Sequence, residues 1–293
     1  MGEWLDYYTY AHYHPHTGGR PHTVVGNMKA SPRFWSPQLE NHRDLLVYLP
    51  PSYKHSDKRY PVIYMHDGQN LFDAATSFSG EWQVDETMEM LAREGVEAIV
   101  VGIPNAGRDR LDEYSPFHDK RIGAGGKGKK YIEFITETIK PHIDKSFRTN
   151  PERDATGILG SSMGGLISLY AFFAFPKTFG FTGVMSPSLW FADGEILKFI
   201  DKTSYNQGRI YLDAGSREMG GSRIDTRRRA NSRRYYARVR RLHRKLYKKG
   251  YFPRRQLLYV EQKWAHHTEA AWAYRLPDAL RFLIPQTEPT PTS

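Results

Sequence analysis

Cysteine is missing from all 293 residues, which excludes disulfides and a thiol nucleophile. Long apolar runs are missing too: nothing approaches 18 consecutive hydrophobic residues, so no membrane span is expected. The amino terminus, Met1-Gly2-Glu3-Trp4-Leu5-Asp6, has neither a basic start nor an apolar centre, and Asp6 stands where a myristoylation pattern needs Ser or Thr. Neither a secretory leader nor a lipid anchor is expected, which points to a cytoplasmic protein. No internal repeat and no linker interrupts the chain. With 39% hydrophobic residues it can bury one large core, so a single domain over 1–293 is expected. An aromatic, His-rich extension at 1–21 and a disordered tail at 286–293 would flank it.

Acidic residues are absent from 226–260, whereas 227–249 carries twelve Arg and Lys. The whole chain has a net charge of +10, so the rest is slightly acidic and the basicity is local. Tyr235, Val239, Leu242 and Leu246 recur at helical spacing, giving one apolar stripe toward the core and a wide basic face outward. Such a face can attract an anionic substrate, a membrane surface or nucleic acid. Charge runs are most often solvated, however, or paired with acidic surface or a partner subunit, and that is the default here. No nucleic-acid module or stacking motif accompanies it, so nucleic acid is not an expected partner; a homo-oligomer stays open.

Strand-like apolar runs at 62–65, 98–101, 156–159, 181–185, 210–212 and 257–260 alternate with helical patterns. The helices fall near 84–94, 130–147, 163–175, 195–201, 227–249 and 269–283. Such alternation predicts an α/β fold with a mostly parallel, doubly wound sheet. Upstream, 22–30 and 44–50 suggest antiparallel edge strands joined through a proline-containing loop at 31–38.

Gly160-Ser161-Ser162-Met163-Gly164 lies between a strand-like run and a helical pattern. In this G-x-S-x-G spacing, small neighbours let a serine at the apex of a strained turn project Oγ to solvent at a helix N-terminus. Ser162 is thus a candidate nucleophile, and the N–H of Met163 a candidate oxyanion donor. An acid and then a histidine should follow along the chain, each after its own strand. Asp213, Glu218 and Asp225 follow one run, and His266-His267 follow the next.

Further landmarks are His22-Thr23-Val24-Val25-Gly26, Leu45-Leu46-Val47-Tyr48-Leu49-Pro50, Met65-His66-Asp67-Gly68-Gln69-Asn70-Leu71-Phe72-Asp73 and Val101-Gly102-Ile103-Pro104-Asn105. Together with Arg110-Leu111-Asp112-Glu113-Tyr114 and His267-Thr268-Glu269-Ala270-Ala271-Trp272, they make the chain resemble the putative-esterase family of α/β-hydrolases over residues 20–285. That family includes enterochelin and feruloyl esterases, esterase D-like S-formylglutathione hydrolase and the mycolyltransferase antigens. The resemblance implies an α/β-hydrolase fold and a second oxyanion donor at Gln69, with Gly68 needed for close backbone approach or an unusual φ.

By the same resemblance, Glu218 stands where family members carry the triad acid, although a glutamate in place of aspartate must reach from further back. Asp225 remains the alternative, unless it caps the basic helix, and Asp213 reads as a structural carboxylate. His267 opens the His-x-Glu-x-x-Trp pattern and is the implied base, leaving His266 as its neighbour. The expected reaction is acyl transfer to Ser162 through an acyl-enzyme that water releases, with no metal or organic cofactor. His12, His14, His16 and His22 lack the spacing of a metal site. A small-molecule or saccharide ester is the expected substrate. An acyltransferase with the same triad, and an anion- or nucleic-acid-binding protein on a hydrolase scaffold, are the alternatives.

Overall fold

The computed structural model describes residues 4–13, 20–220 and 225–285. The tail expected at 286–293, together with His14 and His16, lies outside them. The apolar runs become strands β4 (Val62–His66), β5 (Ile99–Ile103), β6 (Thr156–Ser161) and β7 (Phe181–Met185), every residue of which is buried. Continuous burial is what parallel strands covered on both faces require. Strands β8 (Arg209–Arg217) and β9 (Leu257–His266) extend this parallel set, and β9 forms an exposed edge that carries Glu261 and Lys263. Charged side chains on such an edge discourage pairing with another chain.

On the other side, β1 (Leu5–Asp6), β2 (Asn27–Ser36) and β3 (Asn41–Leu49) are antiparallel. The nine strands run in the order β1-β2-β3-β5-β4-β6-β7-β8-β9. One face is covered by α3 (Arg110–Glu113), α4 (Gly128–Glu133), α6 (Met163–Ala174), α7 (Glu195–Lys202) and α8 (Thr226–Lys248). The other face is covered by α1 (Tyr7–Tyr13), α2 (Val84–Ala92) and α9 (Glu269–Leu283). The expected stripe on α8 is buried at Tyr235, Val239, Leu242 and Leu246.

Three expectations need correction. The strand foreseen at 22–30 lies at Asn27–Ser36 and runs through the foreseen loop, with a bulge between Ser31 and Phe34 that accommodates Pro32 and puts Arg33 at φ 53°. The helix foreseen at 130–147 contains a π-helical stretch, Phe134–Ile139, before α5 (Lys140–Ser146). The N-terminal extension is partly integral: β1 joins the sheet, and Tyr7, 1% exposed, donates a hydrogen bond to Asp73 at 2.8 Å. The loops that leave β4, β6, β7, β8 and β9 all open at the carboxyl edge of the parallel sheet, where α/β proteins form their crevices.

Candidate active site

Between β6 and α6 the chain reverses at Ser162, whose backbone sits at φ 57° and ψ −118°. A non-glycine residue is held in that strained region only by its surroundings. Here the Ser162 N–H donates to Met185 O at 3.0 Å, and its carbonyl accepts from Ser188 N–H at 2.9 Å. The turn also depends on glycine. A Cβ on Gly160 would lie 2.8 Å from the His66 ring and 2.9 Å from the Gly164 backbone. His66 packs beneath the turn with Nδ1 2.8 Å from the Tyr131 hydroxyl, and burial pushes its pKa down to about 3, so the imidazole stays neutral.

Glu218 follows β8 and has no exposed side-chain surface. Its Oε2 lies 2.6 Å from His267 Nδ1, while Oε1 accepts from the Ser186 hydroxyl at 2.7 Å and from the Gly215 N–H. A Cβ on Gly215 would meet Ala265 O at 2.3 Å, so only glycine lets β8 pass β9 this closely before the turn. The imidazole of His267 is edged by Trp272 at 5.0 Å and Tyr235 at 5.7 Å between ring centroids. The Glu218 carboxylate is thus held against His267 by the Ser186 hydroxyl and the Gly215 N–H.

The competing residues are elsewhere. Asp225 accepts from Arg228 N–H at 2.9 Å and caps α8. Asp213 is buried against Arg275, with Nε 2.7 Å from Oδ2. His266 is exposed at the end of β9, opposite Arg217.

After β4, Asp67 takes the left-handed conformation at φ 56° and starts the 3-10 turn Gly68–Asn70. Burial opposes its charge, but Arg110, at 2.7 and 2.8 Å, and the Asn105 amide, at 2.7 Å, hold its carboxyl below the usual range. Gly68 is needed for close approach rather than for its φ, because a Cβ there would meet Pro104 N at 2.7 Å. The N–H groups of Gln69 and Met163 both belong to first helical turns, whose donors have no intrahelical acceptor.

Ser162, His267 and Gln69 line one cavity of about 730 Å³, whose walls also include Phe78, Trp82 and Trp272. Ser162 Oγ lies 3.1 Å from Ser188 Oγ, and no hydrogen bond joins it to His267 among the described residues. Ser186, Ser188 and Arg275 escaped the sequence reading. The signal available was a short polar run, Ser186-Pro187-Ser188, directly after a strand at the edge that carries Ser162. Arg275 had no such signal, since it lies inside α9 and reaches Asp213 and Ser186 only through the tertiary fold.

For a cation, the described residues offer one trio of carboxylates, Glu81, Asp85 and Glu86, within 4.8 Å of one another. None of the three lines the cavity with Ser162. His22, from the His-rich terminus, faces Asp73 at 2.6 Å instead.

A family model described as "Putative esterase" matches residues 36–283. YbbA of Bacillus subtilis is 27% identical over 232 residues, covering 77% of this chain and 86% of its own. The siderophore triacetylfusarinine C esterase of Aspergillus fumigatus is 30% identical over 137 residues, 44% of each chain. Among solved structures, the siderophore hydrolase EstA of Aspergillus nidulans superposes with a TM-score of 0.69 at 22% identity, over 88% of this chain and 94% of its own. The expected α/β-hydrolase fold is thereby found, and no helix among the described residues is long and apolar enough to cross a membrane. With most of its length matched, the chain belongs to the putative-esterase family, as an ester-hydrolysing enzyme of the α/β-hydrolase fold.

Proposed function

We propose that this esterase works through a Ser162-Glu218-His267 triad and an acyl-enzyme. The observation that carries the reading is the 2.6 Å contact between His267 Nδ1 and a fully buried Glu218, with His267 and Ser162 facing one cavity. A carboxylate on Nδ1 fixes the tautomer in which Nε2 is the free base. His267 Nε2 then takes the Ser162 proton as Oγ attacks the ester carbonyl, and the N–H groups of Met163 and Gln69 receive the charge on the carbonyl oxygen. The proton passes to the leaving alcohol, and water attacks the acyl-enzyme by the same route in reverse. The Ser162–His267 hydrogen bond forms with substrate in place, as catalytic contacts often do.

Relatives named as siderophore esterases and as a feruloyl esterase direct the substrate search to such esters. The aromatic walls Phe78, Trp82 and Trp272 suit an aromatic or similarly bulky group.

The test is labelling with a serine-reactive phosphonate followed by peptide mapping, alongside hydrolysis of p-nitrophenyl esters. Label at Ser162, and loss of at least about 10³-fold in kcat in a folded Ser162→Ala protein, are expected. Label on another serine would overturn the assignment.

A further inference from the structure

Besides His267, the cavity that holds Ser162 is lined by the ionisable side chains Asp67, Arg110 and Glu269. Asp67 and Arg110 neutralise each other through hydrogen bonds of 2.7 and 2.8 Å. Glu269 has no such partner. It sits in the first turn of α9, 8% exposed, and among the described residues its carboxylate accepts one hydrogen bond, from the Ser79 hydroxyl to Oε1 at 2.5 Å. Its Oε2 has no donor there and is not sealed from solvent. The first-turn N–H groups of α9 favour this negative charge without pairing it. One uncompensated carboxylate therefore faces a cavity with aromatic walls, where a counter-charge is worth more than in open water.

The cation that fits is narrowed by what Glu269 has left to offer. A hard metal ion takes six or more oxygen ligands, and here a single carboxylate oxygen is open. A guanidinium fork needs both oxygens, and Ser79 already occupies Oε1. An ammonium group needs only one. The remaining walls suit it as well: Trp82 and Trp272, with ring centroids 5.5 Å apart, and Phe78, 92% exposed, offer π faces that attract alkylammonium groups.

We propose that the ester taken by this cavity carries an alkylammonium group, held on Glu269 Oε2 against the aromatic walls. The assignment rests on Ser162 being the nucleophile of the same cavity. Glu269 then determines specificity and takes no part in the bond changes at Ser162.

The experiment is calorimetric titration of the full chain with benzylammonium, benzyltrimethylammonium and phenylmethanesulfonate, in 150 mM NaCl, where exposed charges beyond about 8 Å are screened. Saturable binding of at least one cation, and none of the sulfonate, is expected. Glu269→Gln keeps an acceptor for Ser79 and should weaken the cation at least about tenfold. Phe78→Ala, at an exposed position, should weaken it about twofold to fivefold. Tighter benzylammonium supports a primary amine as the native group; tighter benzyltrimethylammonium supports a methylated one. Absence of saturable cation binding, equal binding of the sulfonate, or affinity unchanged in Glu269→Gln overturns the proposal. Hydrolysis then compares acetylthiocholine with its uncharged isostere S-(3,3-dimethylbutyl) thioacetate, and thiol release is read directly because the chain has no cysteine. The ratio of the two kcat/KM values should favour the cation and fall at least about tenfold in Glu269→Gln. If Glu269 served only to anchor Ser79, both esters would change in proportion; an unchanged ratio, or no preference for the cation, overturns the substrate assignment. Neither the titration nor the ratio reads which serine is acylated, so their failure is distinguishable from failure of the triad.

Discussion

Ser186 holds together polar groups that none of its neighbours could hold alone. Its N–H donates to Asp213 at 2.8 Å, its hydroxyl to Glu218 at 2.7 Å, and its carbonyl accepts from Tyr235. Glu218 has no contact with water, so its charge rests on the Ser186 hydroxyl, the Gly215 N–H and His267. Removing one donor from a buried carboxylate costs about 1–3 kcal/mol. In the proposed reaction that carboxylate must support an imidazolium that exists only while His267 carries the proton. Ser186→Ala should therefore lower kcat about tenfold with KM little changed, and Ser186→Thr should restore part of it. Steady-state kinetics on a neutral ester checks this; a change confined to KM would show that Ser186 acts on binding instead. Glu218→Gln should cost more than Ser186→Ala, and His267→Ala should abolish turnover where His266→Ala keeps most of it.

Helix α8 shows how far an element could be read in advance. Its buried stripe and basic face follow from spacing and charge alone, because both are local properties of one amphipathic segment. The role of Asp225 was not legible, since a cap and a triad acid use the same residue type at the same place in the chain. The fold puts Asp225 on the Arg228 N–H and Glu218 on His267, and these contacts are what favour Glu218 as the acid in the proposed triad. The turn at Ser162 was legible because steric demands there fall on adjacent residues, whereas Arg275 acts across 62 positions on Asp213 and leaves no local pattern. Strand β2 was misplaced because its proline reads as a loop, and the bulge that absorbs it is set by pairing with β3. As a helix cap, Asp225 can be replaced by Ala at a cost of about 1 kcal/mol in stability. Urea unfolding should show that loss while kcat stays within twofold of the parent; a large fall in kcat would return Asp225 to the catalytic site.

Across the whole molecule, buried titrating groups set how stability varies with pH. Asp85 is fully buried, and burial together with the neighbouring Glu86 pushes its pKa up to about 9; Glu81 is pushed up to about 7, chiefly by burial. Asp85 Oδ1 is buried with no hydrogen-bond partner among the described residues, so the neutral carboxyl is the form its surroundings favour. In the unfolded chain Asp85 loses its proton near the ordinary value of 3.8, so from about pH 4 to 9 the folded state binds more protons than the unfolded state. Stability from this group must therefore fall as pH rises through that window. His66 acts in the opposite direction: its folded pKa of about 3 lies below the ordinary 6.5, so stability rises with pH between those values and offsets part of the carboxylate effect. Above pH 6.5 the offset ends, and the decline from Asp85 alone approaches at most about 1.4 kcal/mol per pH unit. In Asp85→Asn the amide oxygen can keep the Val25 N–H that Oδ2 accepts at 2.7 Å, and the amide N–H can donate to Glu86 without a titrating proton. Urea midpoints at pH 6.5, 8 and 9 should therefore fall steeply in the parent protein and much less in Asp85→Asn. Parallel declines in the two proteins would show that the proton is held elsewhere.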